Sequence, residues 1–378
     1  MFLFAVAGGA AVGNLYWAQP LLVTIANDLQ IDPSSAGLLV TFTQLGYAVG
    51  VFFVVPLGDA VDRKRVIPAV MALSTLALLG SAFAPSFIAL LALLAAVGVT
   101  SVSGQLLTPL AAEISDDAHR GHNVGIVVSG ILLGILVSRT VSGVISDLFG
   151  WRAVYLIAAV ITAAAGLLMA RSVPRLPPRP RVAYWRLLAS VFPAALAHSV
   201  ARTSLVLGAS AMCVFTMFWT GLTLLLSAPP FSYTTTQIGL VSLVGIAGAL
   251  AAQRVGRLFD RGLARPATGI GLGLTLLALV ISGVGSSWIS TVLIAVAIFS
   301  VGVQGTQVLL QTRMLSVDPA ARSRLNTAFV VINFGGGALG SALAGVLWNV
   351  GGWTALAAGA SGVITFALIV WALRREAT

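Results

Sequence analysis

Gly58-Asp59-Ala60-Val61-Asp62-Arg63-Lys64-Arg65 is a dense cluster of charges between two long apolar runs. A weaker copy, Gly256-Arg257-Leu258-Phe259-Asp260-Arg261-Gly262, begins 198 positions later (256 − 58) in a chain of 378 residues. A charged loop that recurs about half a chain later predicts two similar membrane-embedded halves. It also predicts that both loops lie on the same side of the bilayer.

Charged residues are rare in this chain. They make up 8% of the sequence, hydrophobic residues make up 58%, and the mean hydropathy is +1.01. So few charges cannot cover the surface of a water-soluble protein. Apolar runs of about 18 residues or more are typical of membrane-spanning helices. Twelve such spans are predicted, over residues 2–26, 35–57, 66–83, 86–111, 123–146, 152–170, 203–226, 237–253, 266–284, 288–311, 325–347 and 353–373.

The net charge of +10 indicates membrane topology rather than a nucleic-acid partner. Basic residues lie in alternate loops between the predicted spans, and the other loops hold only Arg152. This asymmetry is the positive-inside signature. We therefore expect both termini and the basic loops in the cytoplasm, with the chain in the plasma (bacterial inner) membrane and the lipid bilayer as its surroundings.

The longest polar break separates the two halves. Residues 171–202 are rich in Pro and Arg, which interrupt helices and favour a cytoplasmic surface linker. Within this break, the segment Tyr184 to Ala197 is expected to form a short helix at the membrane interface. The predicted halves are residues 1–170 and 203–378, with six spans each.

Polar side chains within the spans predict a cavity. Amides are costly in lipid and tend to face a bundle interior or a wet cavity. They are absent from spans three, six, nine and twelve, so spans one, four, seven and ten are expected to line the cavity. The alternative is that the amides hold helices together. The predicted cavity residues are Asn14, Tyr16, Trp17, Gln19, Gln44, Gln105, Trp219, Gln304, Gln307 and Asn333.

Arg139 is the one ion predicted inside a span, about 24 Å along span five. A guanidinium stays charged and needs a partner, which could be Asp28, Asp32, a carbonyl oxygen or a substrate anion. An interhelical clamp or a snorkelling side chain is the structural alternative. No Asp, Glu or His is predicted at the membrane centre, which weakens a simple proton relay and leaves boundary residues such as Glu113 as candidates.

Other functional classes find little support in the residues. The sequence has no nucleophile elbow, phosphate loop or metal-spaced cluster, so neither an enzyme nor a cofactor or metal site is predicted. A channel would be expected to show symmetric filter segments or charged rings.

The chain resembles the major facilitator superfamily over its whole length, and its first half is most similar to bacterial drug and sugar efflux members of the arabinose-efflux-permease-like group. The resemblance implies an all-α integral membrane protein with twelve transmembrane helices in two pseudo-symmetric six-helix halves. It rests on Gly58, Asp59, Asp62, Arg63, Lys64 and Arg65, on the weaker Gly256, Asp260 and Arg261, and on the run Asn14-Leu15-Tyr16-Trp17-Ala18-Gln19-Pro20-Leu21-Leu22.

The resemblance implies a secondary transporter that works by alternating access, as a monomer, on a small organic solute. It implies a cytoplasmic latch between the halves at the charged loops, with Asp62 and Arg63 in the latch roles; the alternative is that Asp62 caps span three and the cations set topology. Efflux by exchange with protons is the implied mode, and a solute importer or uniporter is the alternative. Gly121, Gly130 and Gly134 match the antiporter pattern of the family, but Ile135 replaces its Pro and Ser138-Arg139 replaces its Gly-Gly, which weakens the expectation of proton exchange.

Overall fold

A computed structural model describes residues 1–116, 119–174 and 184–374, except the side chains of residues 59, 252, 253, 256–258 and 260. The described residues form α-helices and short 3-10 turns without a strand, so the predicted all-α class is confirmed. The helices are α1 (Phe2–Gly13), α2 (Leu22–Asp28), α3 (Gly37–Phe53), α4 (Leu57–Ala60), α5 (Arg63–Ala82), α6 (Phe87–Thr100), α7 (Ser103–Glu113), α8 (Arg120–Phe149), α9 (Trp151–Ser172), α10 (Tyr184–Leu196), α11 (Ser199–Ser227), α12 (Thr235–Val241), α13 (Ile246–Asp260), α14 (Ala264–Val284), α15 (Ile289–Ser316) and α16 (Arg322–Leu373).

Nine helical segments of the described chain are long and apolar enough to cross a membrane. The longest, Pro319–Leu373, covers two of the predicted spans, and Phe2–Gly13 and Thr235–Ala251 are shorter apolar helices. The count of twelve spans therefore stays a prediction.

Two glycines turn the chain before matching tryptophans. Gly150 has a φ of 82° and separates α8 from Trp151, the first residue of α9. Gly352 has a φ of 58° and breaks α16 immediately before Trp353. Only glycine adopts this left-handed region without strain, so both turns depend on it. These matching turns support the internal repeat seen in the sequence.

Span one is not a single helix. The helix α1 ends at Gly13, and residues 14–18 form turns before a 3-10 turn at Gln19–Leu21 that contains Pro20. Proline lacks a backbone donor, so Pro20 favours a bend at this point of the chain. The regular helix ends earlier, at Gly13, and the side chain of the following residue, Asn14, is buried.

The chain divides into two compact units. Unit 1 comprises residues 1–31, 42–188 and 234–239, and unit 2 comprises residues 32–41, 189–233 and 240–378. Each unit thus includes a short segment that the sequence assigns to the other half. The predicted halves and linker stay a prediction, and residues 175–183 of the linker lie outside the described residues.

Close helix crossings organise unit 1. The helix α1 packs against α8, and α5 packs against α9. At the first crossing a Cβ at Gly130 would meet the Ala5 backbone, and one at Gly134 would meet Gly9. The four-residue spacing of these two glycines places both on one face of α8 and permits such a close approach. An apolar core formed by side chains such as Phe4 and Leu107 lies nearby.

In unit 2, α11 packs along α16 and α14 packs along α15. Small residues again line the crossings, since a Cβ at Gly340 would overlap the Cys213 backbone. Thr216 donates a hydrogen bond to the Gly337 carbonyl, and the hydroxyls of Thr220 and Ser341 are 3.1 Å apart. Thr216 and Thr220 of span seven therefore join α11 to α16.

Candidate functional site

Asn14 joins three helices of unit 1. Its amide donates hydrogen bonds to Thr162 on α9 at 3.1 Å and to Ser74 on α5 at 3.5 Å. Its carbonyl oxygen accepts a bond from the Trp17 indole at 2.9 Å. Asn14 and Trp17 are both buried. This geometry matches the helix-joining role that the sequence left open beside cavity lining.

A second polar cluster of unit 1 surrounds Arg139 on α8. Its guanidinium lies over the Tyr16 ring, 4.9 Å from the ring centre, and Arg139 is 3% exposed. The negative face of an aromatic ring is a favourable neighbour for a buried cation. Gln105 on α7 donates to the Tyr47 hydroxyl at 3.2 Å. Tyr47 was missed by the sequence reasoning, because a tyrosine in an apolar span gives no signal beyond its residue type.

Gln44 differs from the other amides of unit 1. It is 0% exposed, and neither its amide nitrogen nor its amide oxygen has a hydrogen-bond partner among the described residues. A buried polar group without a partner costs about 1–3 kcal/mol. Gln19 is also buried. Gln44 therefore has hydrogen-bonding capacity that the described fold does not use.

Two of the predicted amides of unit 2 connect helices. The Asn333 side chain on α16 donates to the side-chain oxygen of Gln307 at 2.9 Å. The Gln307 side chain on α15 donates to the backbone oxygen of Gly208 at 3.1 Å. A Cβ at Gly208 would lie 2.6 Å from the side-chain oxygen of Asn333, so the Asn333 amide would have to shift if α11 carried a side chain there. Gln304, one turn before Gln307, is half-buried.

Trp219 belongs to an aromatic cluster of unit 2. Its ring packs edge-on against Phe215 and Phe218, with ring centres 6.3 Å and 6.2 Å away. Phe218 stacks on Phe299 at 4.0 Å and contacts Trp353 edge-on at 5.6 Å. Such aromatic pairs hold one another in place, so the cluster stabilises the packing of α11 against α15 and α16.

The charged loop is tied to unit 1 by Arg63. The Asp62 carboxylate accepts a hydrogen bond from the Lys64 backbone at 2.9 Å and caps α5, as the capping alternative predicted. Arg63 is 8% exposed and donates to the Gly58 carbonyl at 3.0 Å and to the Glu113 carboxylate at 3.1 Å. Glu113 ends α7, so this ion pair connects the loop to span four.

The remaining loop residues carry fewer described contacts. Arg65 and Arg261 are exposed. The side chains of Asp59 and Asp260 lie outside the described part of the chain. The latch predicted at these charged loops therefore stays a prediction.

On the side opposite the basic loops, Asp147 of α8 holds the first turn of α12 inside unit 1. Its carboxylate accepts hydrogen bonds from the Thr235 hydroxyl at 2.5 Å and from the Thr236 backbone N–H at 2.8 Å. The Thr235 hydroxyl is also 2.9 Å from the Gly143 carbonyl. A carboxylate at a helix N-terminus satisfies donors that the helix itself leaves unpaired.

Unit 2 contains the matching contact. Asn349 of α16 donates to the Ser34 hydroxyl at 2.8 Å, just before α3 begins. Asn349 lies 202 positions after Asp147 (349 − 147), and Gly345 lies 202 positions after Gly143. A Cβ at Gly345 would overlap the Ser34 carbonyl, as one at Gly143 would overlap the Thr235 carbonyl. We call these two sets of residues the paired outer contacts.

The paired outer contacts were not predicted from the sequence. In the sequence, the stretches Asn123–Trp151 and Asn326–Trp353 both begin with Asn and end in Gly-Trp, and they contain Asp147 and Asn349 respectively. Their partners lie 88 or more positions away in the chain, which no local pattern reveals.

Comparisons with known proteins agree with this architecture. The sequence profile of the Major Facilitator Superfamily matches residues 3–320. The chain is 38% identical to the uncharacterized transporter YgaY of Escherichia coli O157:H7, over 98% of this chain and 94% of the relative. Multidrug resistance protein D of Escherichia coli K12 is 29% identical over 47% of this chain and 45% of its own length.

A solved structure shares the fold. The nucleoside transporter NupG superposes with a TM-score of 0.80 at 16% identity, covering 99% of this chain and 98% of that chain. The family profile and the full-length relative together establish the family. The chain therefore belongs to the Major Facilitator Superfamily and is a multi-pass membrane transporter of that type, which handles small-molecule substrates.

Proposed function

We propose that this transporter exports a small, weakly charged organic solute by alternating access, in exchange for protons. The observation that carries alternating access is the paired outer contacts. In each unit, side-chain hydrogen bonds hold the start of a helix that the sequence assigns to the other half. Contacts of this kind can be broken and re-formed, as a transport cycle requires.

The side chains inside the units support a solute of low charge. The predicted cavity residues are mainly amides and aromatic rings, and Arg139 lies against the Tyr16 ring. Gln44 offers a buried amide without a described partner, and a solute that donates and accepts hydrogen bonds would satisfy it. The partial similarity to a multidrug resistance protein favours export over import.

Glu113 and Arg63 are the proposed proton-coupled pair. Glu113 is 31% exposed and lies 3.1 Å from Arg63 at the end of span four. Removal of the negative charge of Glu113 by a proton would weaken this ion pair, and with it one connection between the charged loop and span four. The coupling therefore places the proton step beside the charged loop rather than at the membrane centre.

The test is transport in proteoliposomes with and without an imposed pH gradient. A panel of probes, such as ethidium, uridine and arabinose, identifies a transported solute by its accumulation. We expect accumulation to rise with the gradient, and to lose this dependence in Glu113→Gln. Asp116→Asn, an exposed carboxylate in the next loop, is the matched control and keeps the dependence. Accumulation that ignores the gradient would refute proton exchange and favour the uniporter.

A further inference from the structure

An open cavity of about 590 Å³ lies in unit 2, and none of the predicted cavity residues line it. It is bounded by the end of α10, the first turns of α11 and the end of α16. Its volume falls within the range of about 300–1,000 Å³ that is typical of ligand sites. Its walls include Leu196, Val206, Ile332 and Val370, and two of these, Leu196 and Val206, are exposed by 52% and 39%.

The cavity mouth is basic. Arg202 and Arg374 both line it, and both are exposed. The Arg202 guanidinium donates to the Leu196 backbone oxygen at 3.0 Å, which holds it at the rim. Within the described residues, neither guanidinium has a carboxylate in ion-pair contact.

The two ends of the cavity differ in polarity. From Arg202 to Ser210, the lining follows α11 for about 12 Å, at the usual helical rise. The wall changes over this distance from cationic to apolar. The positive-inside pattern places Arg202 and Arg374 at the cytoplasmic surface, where bacterial membranes are rich in anionic lipid. The short helix α10, predicted to lie at the interface, ends at this rim.

We propose that this cavity binds one anionic phospholipid of the cytoplasmic leaflet. The phosphate lies between Arg202 and Arg374, where each guanidinium can donate two hydrogen bonds to phosphate oxygens. One acyl chain lies along Val206 and Val370 and covers their exposed apolar surface. The lipid would thus bridge α11 and the end of α16.

The experiment uses the purified full chain in detergent, with lipid binding followed by native mass spectrometry. Phosphatidylglycerol is titrated against phosphatidylcholine of the same acyl chains. We expect phosphatidylglycerol to bind more tightly than phosphatidylcholine. We expect the Arg202→Gln/Arg374→Gln variant to bind it about 25-fold more weakly, at about fivefold for each arginine near an anionic surface. The control Arg171→Gln/Arg186→Gln removes two exposed basic charges outside the cavity and keeps full affinity.

Two further measurements distinguish a lipid site from non-specific electrostatic attraction of anionic lipid. Val206→Trp keeps every charge but fills the apolar wall, so it is expected to weaken phosphatidylglycerol binding. Inorganic phosphate is expected not to compete, because it lacks the acyl chain. Equal loss in the control variant, equal binding of phosphatidylcholine, full affinity in Val206→Trp, or displacement by phosphate would each overturn the proposal. A dimer of the chain in place of a lipid adduct would also overturn it.

Discussion

Gly143→Ala should open the outer contact of unit 1. A Cβ at this position would overlap the Thr235 carbonyl oxygen and would lie 2.8 Å from its carbonyl carbon. Non-bonded carbon atoms prefer about 3.5–4.0 Å, so α12 would have to move by about 1 Å. These neighbours are backbone atoms and cannot rotate away.

The size of the effect follows from the cost of overpacking. An extra methyl in a close-packed contact costs about 1–3 kcal/mol. The ratio of closed to open contact would then fall by about 5- to 140-fold, because each 1.4 kcal/mol or so changes an equilibrium constant about tenfold. The hydrogen bonds of Asp147 to Thr235 and Thr236 would be lost in the open arrangement.

The assay is the labelling rate of a buried cysteine. Ile238 lies one helical turn into α12 and is 7% exposed. Ile238→Cys is placed in a Cys213→Ala background, and a membrane-impermeant maleimide is added from the side opposite the basic loops. We expect Gly143→Ala to raise the labelling rate by about 5- to 140-fold, since labelling requires opening.

Gly125→Ala is the matched control. It lies on the same helix, and a Cβ there meets no atom within 4 Å. Both substitutions make the same change in helix propensity, so a comparison of the two isolates the contact. Equal labelling rates in the two variants, at equal membrane insertion, would refute the reasoning.

Three further predictions concern other contacts. Asn14→Ala leaves its hydroxyl partners unpaired and should lower the unfolding free energy by about 1–3 kcal/mol, measured by denaturant titration in detergent; an unchanged midpoint would contradict it. Hydrogen bonds from Arg152 and from the Trp151 indole hold the pKa of the Asp28 carboxyl below its usual range. The stability that this carboxylate gives to the folded state is therefore fully present above about pH 3.9 and fades as the pH falls further. Asp28→Asn should therefore lower the unfolding free energy by less than about 1 kcal/mol at pH 7, because the Arg152–Asp28 pair is exposed. At low pH the same substitution should leave the unfolding free energy unchanged. In a double-mutant cycle of transport rates, Arg63→Gln and Glu113→Gln should be non-additive, and additive effects would exclude the coupled pair.

The sequence predicted those features that depend on local pattern or on repetition. The all-α class followed from apolar runs. The spacing of Gly130 and Gly134 permitted a close helix crossing, but its partner α1 is known only from the structure. The cap at Asp62 followed from its place before an apolar run. The short helix α10 also formed where it was expected, over Tyr184–Leu196.

The direction of individual side chains could not be predicted. Asn14 was expected to line a cavity, and the structure gives it partners on α5 and α9. Its direction depends on how the chain turns after Gly13, and hydropathy contains no information about that rotation. The ion pair of Arg63 with Glu113 joins residues 50 positions apart, which requires the packing of α5 with α7 to be known.

The two copies of the internal repeat differ in charge both at the charged loops and at the paired outer contacts. On the basic side, the first charged loop keeps the cluster from Asp62 to Arg65, while the second keeps only Asp260 and Arg261 from its copy. On the opposite side, the carboxylate of Asp147 accepts from a hydroxyl and two backbone N–H groups, whereas the amide of Asn349 donates to one hydroxyl.

Hydrogen bonds to a charged group are about twice as strong as those between neutral groups. The contact in unit 1 should therefore be the firmer of the paired outer contacts, and the contact in unit 2 should yield first. A cycle built on such unequal contacts would open in a fixed order. This order follows from the substitution of one amide for one carboxylate at equivalent positions of the repeat.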